Sequence, residues 1–575
     1  MEKDQKIQRR ILMIQVLLVG CICLLAAKAF EVQILKAQDL TLKAEQGYSR
    51  YLTIQGDRGQ ILDRHLNKLG TSIDAPNITA DPSQIKDPAR TATKLGKILE
   101  TDENFIKEKL SRDRRFVMVA SKVSPVQADR IKALGFQGIY FENDSKRFYP
   151  NRNLAAQLIG FTGKDDIGLE GLEFKYNAIL VGDITKTMEK RDGAGRTFDI
   201  HKNRREELKG NSLVLTIDKK IQFLSERTLE QTVKEFQAKS GMALVMKPKT
   251  GELLAIAHYP GFNPNNYKAF KKGAYRNRAI TDAFEPGSVM KIFTVAAALE
   301  KGFTPNSIFF CENGQYRIGK YTIKDTHPRD WLSLNQIIKF SSNIGATKIS
   351  ETIGGKALHD CLTAFGFGKK TLIGLPGETN GILLPHKKWS NIDAGAISFG
   401  QAISASAVQV ISGISAIAND GKLMKPMLVK KIISNTGKNI QVFEPVQIHQ
   451  AVSQKTANQI KIMMNMVVQK NGTGTKAAMD GYSVCGKTST AQKAGKDRKG
   501  YEKNKYIAAF AGFAPQENPE LAILVVVDEP QKKHYGGDVA APAFKTIMAE
   551  SFSYLNIAPE KTESMVAAVI RGQEN

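Results

Sequence analysis

Cysteine is scarce in this 575-residue chain, and the five cysteine residues show no spacing typical of a metal site. Cys21 and Cys23 lie in an apolar N-terminal run, whereas Cys311, Cys361 and Cys485 are isolated. The odd number outside that run excludes complete disulfide pairing, although one disulfide stays open. The eight histidines form no His-Glu-x-x-His motif, so the sequence predicts no metal and no other cofactor.

Acidic residues are also few, with 57 Asp and Glu against 82 Lys and Arg and a formal net charge of +25. The basic residues are scattered along the whole chain and form no compact tail. Nucleic acid and an anionic surface such as lipid are the general partners of so basic a protein. The chain is too long for one hydrophobic core, so we expect two or more domains.

An uncharged run, ILMIQVLLVGCICLLAA, occupies residues 11–27. Its length is near the minimum for a membrane-spanning helix, and four basic residues precede it: Lys3, Lys6, Arg9 and Arg10. The pattern predicts a cytoplasmic tail at residues 1–10 and a single transmembrane anchor at residues 11–30. Everything that follows would be exported, which removes nucleic acid as a natural partner.

Two processing signals are alternatives to a retained anchor. Residues 27–29, Ala-Lys-Ala, resemble a signal-peptidase site, because the apolar run before them is short. Residues 18–21, Leu-Val-Gly-Cys, resemble a lipoprotein cleavage box. The chain stays apolar for six residues after Cys21, where a lipoprotein usually turns polar. The sequence therefore favours an uncleaved anchor.

The pattern of apolar, charged and glycine residues changes near residue 212. Residues 31–211 mix Gly-punctuated, strand-like stretches with charged helical ones. From residue 212, SLVLTIDKKIQFLSERTLEQTVKEF predicts a short strand and a long amphipathic helix. Two predicted hairpins then bracket mostly helical sequence, and residues 544–555 predict a closing helix. The pattern indicates an antiparallel sheet whose strands come from both ends of a domain, with a helical insert.

The segment EPGSVMK ends at Lys291 and opens the apolar stretch IFTVAAALEKGF. Pro and Gly directly before Ser288 fit a helix start, and the Ser-x-x-Lys spacing places Ser288 and Lys291 on one face. An amine kept neutral by burial or by a second cation can take the hydroxyl proton. A capping serine with a solvated lysine gives the same pattern, so the motif alone is weak. Ser83 and Lys86 share the spacing, but a following Asp-Pro pair ends any helix there.

Two more short motifs follow along the chain. Ser341 and Asn343 form a Ser-x-Asn element, which offers a hydroxyl for proton relay and an amide for binding a peptide group. Ordinary polarity at a helix end is the alternative. Lys487, Thr488 and Thr490 lie in GKTST at a predicted strand edge, where charge and hydroxyl donors can bind a carboxylate. A surface turn is the alternative there.

The order Ser-x-x-Lys, Ser-x-Asn, Lys-Thr-x is typical of penicillin-binding proteins and β-lactamases. On these motifs the chain resembles the class B penicillin-binding proteins, most closely the septal FtsI type, from about residue 45 to residue 555. Further segments carry the resemblance: RGQILDR from Arg58, GLEGLE from Gly168, FNPN from Phe262, AGFAP from Ala511 and YGGDVAAPAF from Tyr535.

The resemblance implies a multidomain α/β fold with a single N-terminal transmembrane helix. Residues 31–211 would form an elongated α+β N-terminal module of the pedestal or dimerisation type. Residues 212–556 would form a penicillin-binding transpeptidase domain, and residues 557–575 a C-terminal tail. For the transpeptidase domain the resemblance implies an antiparallel five-stranded sheet flanked by helices, with a helical subdomain.

The implied activity is D,D-transpeptidation of peptidoglycan in septal wall synthesis. Ser288 would attack the penultimate carbonyl of a stem peptide ending in D-Ala-D-Ala, and an amine from a neighbouring stem would take the acyl group. Lys291 looks like the base that activates Ser288, and Ser341 like the relay to the leaving amine. The backbone N–H groups of Ser288 and Thr490 would form the oxyanion hole.

The remaining site residues are implied in the same way. Asn343 would hold the substrate and the base, Lys487 would supply positive field beside the base, and Thr488 with Thr490 would bind the terminal carboxylate. Ser489 departs from the family pattern, which usually has Gly there. Gly lets substrate lie close along the strand, so the serine puts the shape of the pocket in doubt.

The partners implied are stem peptides, as D-Ala-D-Ala donor and amine acceptor, and β-lactams. A glycosyltransferase module is not evident, so a separate glycosyltransferase and division proteins in the membrane are expected, and no nucleic acid. The expected location is the bacterial inner membrane, single-pass, with the N-terminus cytoplasmic and the catalytic domain periplasmic.

Four rival functions share parts of this pattern. An elongation-type transpeptidase differs only in where it works. A serine β-lactamase needs a deacylating base, and no Glu-x-x-Leu-Asn segment follows Ser341. A β-lactam sensor needs signalling apparatus beyond one span and a short tail. A non-catalytic scaffold of the division machinery is disfavoured by the intact motif set and kept open by Ser489.

Overall fold

The computed structural model describes residues 2–41, 49–190, 205–495 and 500–560. The chain divides into two units. One unit contains the residues up to Asp57 together with Gly182–Lys209. The other contains Arg58–Val181 and the residues from Gly210 onward.

Upstream of residue 212, one long helix is followed by short helices and strands. The helices are α1 Glu2–Phe30, α2 Pro88–Leu99, α3 Glu103–Leu110, α4 Pro125–Lys132, α5 Ala156–Ile159, α6 Gly171–Lys175 and α7 Asn177–Leu180. The strands are β1 Ser49–Gln55, β2 Ile61–Leu62, β3 Lys68–Asp74, β4 Asn77–Ala80, β5 Val117–Ala120, β6 Ile139–Glu142, β7 Ser145–Phe148 and β8 Ile184–Lys190.

Downstream of residue 212, long strands open and close a largely helical region. The helices are α8 Lys219–Glu235, α9 Arg278–Thr281, α10 Lys291–Glu300, α11 Leu334–Phe340, α12 Asn343–Ile353, α13 Gly355–Ala364, α14 Asn391–Ser398, α15 Ala407–Ala418, α16 Gln454–Val468 and α17 Gly536–Tyr554. The strands are β9 Ser212–Leu215, β10 Ser240–Met246, β11 Leu253–Tyr259, β12 Ala283–Phe284, β13 Ile308–Phe310, β14 Gln315–Ile318, β15 Tyr321–Lys324, β16 Trp331–Ser333, β17 Ala405–Ser406, β18 Lys422–Met424, β19 Val429–Ile433, β20 Asn439–Val442, β21 Gln447–Gln450, β22 Cys485–Ala494, β23 Tyr501–Ala514 and β24 Leu521–Asp528.

The first unit contains the long N-terminal helix. Helix α1 continues into a π-helical turn at Glu31–Leu35. Over Lys3–Leu35 the helix is long and apolar enough to cross a membrane, with a mean hydropathy of 2.4 in an 18-residue window. The predicted anchor at residues 11–30 lies within this stretch. In the same unit β1 and β8 pair antiparallel, with Gln55 opposite Ile184.

A six-stranded sheet in the second unit joins the two sides of residue 212. Its order is β20-β19-β9-β2-β3-β7, and β2 runs parallel to β9 with Ile61 opposite Leu213. The sheet therefore continues across the domain boundary predicted between residues 211 and 212, and that boundary stays a prediction.

A buried ion network connects the RGQILDR and GLEGLE segments. The Glu173 carboxylate accepts hydrogen bonds from Arg58 Nε and Arg147 Nε, each at 2.6 Å, and from the Tyr149 hydroxyl at 3.2 Å. These four side chains are buried. Removing one partner of such a network leaves a buried charge uncompensated, which typically costs about 3–5 kcal/mol. The network thus fixes the upstream strands against helix α6.

The five-stranded sheet confirms the prediction of strands drawn from both ends of a domain. Its order is β11-β10-β24-β23-β22, and every pair is antiparallel. Strand β24 is buried along its whole length because both faces of the sheet are covered. Its residues alternate between two cores: Leu524 belongs to the core that includes helix α15, whereas Ile523 and Val525 belong to the core that includes helices α8 and α17.

The closing helix is longer than the sequence predicts. Helix α17 begins at Gly536, and Pro542 lies inside it. The predicted start at residue 544 is therefore wrong. Two glycines and a proline disfavour a helix locally, but burial of Val539 and its neighbours against the sheet outweighs this.

Strand β22 is an edge of the five-stranded sheet, and the helical region lies against it. A short 3₁₀ turn at Gly287–Met290 contacts this strand and leads directly into helix α10. Helix α11 lies close to α16, which contacts β22 as well. The three predicted motifs therefore converge where the edge strand meets the helical region.

Candidate active site

Ser288 lies at the start of a helix, as the sequence predicts, but in a 3₁₀ turn rather than in the α-helix itself. Gly287 has a positive φ of 56°, and its N–H donates to the Gly400 carbonyl at 3.1 Å. A Cβ at Gly287 would lie 2.5 Å from Ser489 Oγ, so a larger residue would displace the turn. Backbone conformation and close packing thus fix Ser288, whose side chain stays partly exposed.

Lys291 begins helix α10 and is completely buried. Its Nζ donates to the Ser341 carbonyl at 2.5 Å, to Ser341 Oγ at 3.1 Å and to Asn343 Oδ1 at 2.7 Å. These contacts bring the Ser-x-x-Lys and Ser-x-Asn motifs together. The amine is held by Ser341 and Asn343, one turn beyond Ser288.

Ser341 and Asn343 are placed by a break between two helices. Helix α11 ends at Phe340, and Ser341 adopts the left-handed conformation with φ 61° and ψ 44°. Ser342 caps helix α12 by accepting from the Gly345 N–H at 2.8 Å, and Asn343 is the first residue of that helix. A left-handed non-glycine residue is uncommon and often marks a functional site.

Lys487 reaches the same hydroxyl from the edge strand. Its Nζ donates to Ser341 Oγ at 2.8 Å and to the Thr488 carbonyl at 3.1 Å, and the side chain is completely buried. Two lysine amines therefore share one serine hydroxyl. The third motif joins the first two through this contact.

Burial lowers the pKa of both amines. The pKa of Lys291 falls to about 7, although the charge of Asp325 opposes the fall. The pKa of Lys487 lies well below its usual value because of burial and because of the nearby Lys291 charge. Two positive charges that are buried and close together repel each other. Near neutral pH the Lys291–Lys487 pair therefore does not carry both ammonium protons.

Asp325 was missed in the sequence, where it lies in a loop with no recognisable motif. Its carboxylate accepts from the Asn343 N–H at 2.5 Å, from the Ile344 N–H at 3.1 Å and from the Ser342 hydroxyl at 2.5 Å. Only the contact across the fold identifies it, since 15 residues separate it from the Ser-x-Asn motif.

The GKTST strand presents alternate side chains to opposite sides. Ser489 follows Lys487 at a spacing of two, and its hydroxyl donates to the Pro286 carbonyl at 2.7 Å. Ser489 is 2% exposed, so the unusual side chain fills the contact between strand and helix start instead of projecting outward. Thr488 Oγ1 donates to Thr473 Oγ1 at 2.9 Å, and Thr490 Oγ1 accepts from the Gly536 N–H at 3.0 Å.

The competing motif and the cysteines differ from this arrangement. Ser83 lies in a three-residue 3₁₀ turn, and its hydroxyl donates a hydrogen bond to Asp81. The turn ends at Gln84 and the next helix begins at Pro88, so no helix contains both Ser83 and Lys86. All five cysteines are free, so the disulfide that the sequence left open is not formed. Within the described ranges, no group of three or more His, Cys, Asp or Glu side chains is arranged to hold a metal ion.

Two family models match the chain. The penicillin-binding protein transpeptidase domain matches residues 241–549, and the penicillin-binding protein dimerisation domain matches residues 53–215. The first match contains all the predicted site residues, and the second covers most of the upstream module.

Curated proteins with similar sequences include three that bear on function. The peptidoglycan D,D-transpeptidase FtsI of Escherichia coli is 34% identical over 558 residues, which cover 95% of this chain and 92% of that protein. The probable peptidoglycan D,D-transpeptidase PenA of Neisseria gonorrhoeae is 34% identical over 536 residues, covering 92% and 90%. The stage V sporulation protein D of Bacillus subtilis is 33% identical over 546 residues, covering 92% and 83%.

Solved structures show the same fold. Penicillin-binding protein 3 from Mycobacterium tuberculosis, in complex with aztreonam, matches with a TM-score of 0.69 at 26% identity and covers 89% of this chain and 98% of its own. A peptidoglycan synthetase from Bifidobacterium adolescentis matches with a TM-score of 0.69 at 23% identity, covering 90% and 98%.

Proposed function

The chain belongs to the penicillin-binding protein transpeptidases, of class B and FtsI type, and on that premise we propose that it cross-links peptidoglycan through an acyl-enzyme on Ser288. It is a serine-type, penicillin-sensitive D,D-transpeptidase. The observation that supports the assignment to Ser288 is the buried amine one turn away. Lys291 shares the Ser341 hydroxyl with Lys487, and its pKa of about 7 leaves much of it neutral at physiological pH.

In the acylation half-reaction, Ser288 Oγ attacks the penultimate carbonyl carbon of a donor stem peptide. The hydroxyl proton passes to Lys291, and the carbonyl oxygen becomes an oxyanion held by the N–H groups of Ser288 and Thr490. The peptide C–N bond then breaks, and terminal D-Ala leaves after its amine receives a proton through Ser341. Ser341 suits this step because its Oγ lies within hydrogen-bonding distance of both amines.

In the second half-reaction, an amine of a neighbouring stem attacks the ester carbon. The C–O bond to Ser288 breaks, the amine proton is taken up by the same Lys291–Ser341 pair, and the serine hydroxyl is restored. The product is a new peptide bond between two stems. Both half-reactions therefore use one base and one relay in opposite directions.

Recognition of the donor stem falls to the other site residues. Asn343 Nδ2 donates to the Lys324 carbonyl at 2.9 Å, which fixes the side-chain amide and leaves its second N–H for the substrate. Thr490 accepts from Gly536, so its own hydroxyl proton is available for the terminal carboxylate. Thr488 and the Lys487 amine would complete that carboxylate site.

The wider role follows from the named relatives. FtsI of Escherichia coli is the basis for assigning septal wall synthesis during cell division. The apolar helix at Lys3–Leu35 supports a membrane-anchored protein, and we place it in the inner membrane with the basic N-terminus in the cytoplasm and the catalytic domain outside. Glycan polymerisation would come from a separate glycosyltransferase that acts with other division proteins in the membrane.

Labelling with a fluorescent penicillin tests the function. We expect one label per chain, carried on Ser288, with an ester half-life of many minutes and complete loss of label in Ser288→Ala. Ser83→Ala is the matched control, because it removes the same residue type from the same spacing motif and should label normally. Label on another serine would refute the site assignment, and rapid release of hydrolysed penicillin would favour a β-lactamase.

A further inference from the structure

We propose that Asp325 is a positioning residue that orients Asn343 and supplies the negative charge that favours the protonated form of the buried Lys291 amine. It thereby sets the lower pH limit of acylation. The inference rests on the proposed acylation of Ser288 and assigns a part to a residue that belongs to none of the three motifs.

Asp325 forms hydrogen bonds with the first turn of helix α12. It directly follows strand β15, and its N–H donates to the Gly314 carbonyl at 3.1 Å. Its carboxylate accepts from two successive helix N–H groups, those of Asn343 and Ile344, at 2.5 and 3.1 Å. The first turn of a helix has unpaired N–H groups that favour a negative charge. The carboxylate therefore fixes the residue whose Oδ1 holds Lys291.

The charge balance of the site depends on the same carboxylate. From the strand side, the ionisable group facing Lys291 is Lys487; from the loop side, it is Asp325, whose charge raises the pKa of Lys291 against the effect of burial. Ser341 and Asn343, which complete the shell around the amine, are neutral. With Asp325 ionised, one protonated lysine makes the group of three neutral overall, and the other lysine is left as a base.

The surroundings of Asp325 contain few other ionisable groups. Cys311 lies 3.6 Å from the Ser342 hydroxyl, and burial with the Asp325 charge raises the pKa of its thiol, so the thiol stays protonated. Glu312 and Lys348 pair with each other at 3.0 Å and balance each other's charge. Asp325 is thus the carboxylate that sets the field at the start of helix α12.

Two substitutions separate the charge from the hydrogen bonds. Asp325→Asn removes the charge but keeps an oxygen that can accept from the Asn343 N–H. Asp325→Glu keeps the charge but lengthens the side chain, which disturbs those hydrogen bonds. If Asp325 acts only through its hydrogen bonds, Asp325→Glu should have the larger effect, and only the maximal acylation rate should change. If Asp325 also acts through its charge, Asp325→Asn should shift the pH at which acylation is half-maximal.

The experiment measures second-order acylation of the full-length protein by a fluorescent penicillin from about pH 5.5 to pH 9. Loss of a negative charge destabilises the protonated amine, so the pKa of the base falls. The acid-side midpoint of Asp325→Asn should therefore move to lower pH, by roughly 1 pH unit, with its maximal rate within about tenfold of wild type. Asp325→Glu should keep the wild-type midpoint and lose maximal rate.

Asp330→Asn is the matched control, since Asp330 is an exposed carboxylate five residues further along the same loop. It should leave both midpoint and rate unchanged. An Asp325→Asn profile that superimposes on wild type after scaling, or a shift to higher pH, would overturn the inference. If Asp325→Asn does not fold, an Asp325→Glu midpoint displaced from wild type would overturn it. Absence of label in wild type at every pH would instead refute the proposed function.

Discussion

Replacing Lys291 by arginine tests whether this residue acts as a general base or only as a positive charge. The lysine amine is buried with three hydrogen bonds to Ser341 and Asn343, and it must be neutral to accept the Ser288 proton. An arginine keeps the positive charge and the donors but does not lose its proton in proteins. Lys291→Arg should therefore preserve the local charge and abolish the base.

The magnitude follows from the pKa. A lysine that titrates at its usual 10.5 is neutral in roughly 0.03% of molecules at pH 7, whereas the value of about 7 makes about half of the Lys291 amines neutral. Burial thus increases the supply of base about a thousandfold, which corresponds to about 4 kcal/mol. General bases typically contribute about 10²–10⁴ in rate, so Lys291→Arg should lose at least roughly a hundredfold in acylation.

Lys487→Arg is the matched comparison, because it places the same guanidinium in the same buried pair. A fixed charge at that position leaves Lys291 free to stay neutral, so acylation should fall by about tenfold or less, mainly through misfit of the larger group. Stopped-flow acylation with a fluorescent penicillin measures both. Wild type should itself be slower at pH 6 than at pH 8 by about tenfold, because the neutral fraction rises through the pKa of about 7. Equal rates for the two arginine variants would refute the assignment of Lys291 as the base.

Three further outcomes are expected. The anchor should be retained, so mass spectrometry of the membrane fraction should find the full-length chain, and a mature N-terminus at Cys21 or Phe30 would contradict this. Ser489→Ala removes the hydrogen bond to the buried Pro286 carbonyl at 2.7 Å and should lower the free energy of unfolding by about 1–3 kcal/mol, measured by denaturant titration; an unchanged midpoint would show that the bond adds nothing. A fragment that begins at residue 212 loses β2 as the neighbour of β9 and should melt below the full chain in calorimetry, whereas an equal melting temperature would mean that the shared sheet contributes no stability.

The fold was predictable where the sequence pattern is local. The hairpins β10–β11 and β23–β24 follow from continuous apolar runs bounded by turn residues, and their positions at the two ends of the domain imply a shared sheet. The start of α17 was not predictable, since Gly536 and Pro542 give a local signal against a helix that only tertiary packing overrules. The continuation of the six-stranded sheet across residue 212 depends on the pairing of Ile61 with Leu213, which no local pattern reports.

The site divides in the same way. Ser288, Lys291 and Lys487 could be named from the sequence because each belongs to a short motif whose order along the chain is specific. The role of Ser489 could not be predicted, since a serine on a strand edge can face either side, and only the contact with Pro286 decides it. Asp325 could not be named at all, because its function depends on a contact between a loop and a helix start.

The carboxyl groups near the site explain why the Ser288 ester should react with an amine and be hydrolysed only slowly. Hydrolysis of an ester needs a second base that activates water, and two described carboxyl groups are candidates: Glu285, which precedes Ser288 in the chain, and Asp325, which accepts from the Asn343 N–H. Burial raises the pKa of Glu285, and its Oε1 accepts from the Ala402 N–H at 3.0 Å. Both oxygens of Asp325 are engaged by the start of helix α12. One oxygen of Glu285 and both oxygens of Asp325 are therefore already hydrogen-bonded within the protein, so we expect attack on the ester by a nucleophile that needs less activation. A stem-peptide amine meets that requirement, and a water molecule does not.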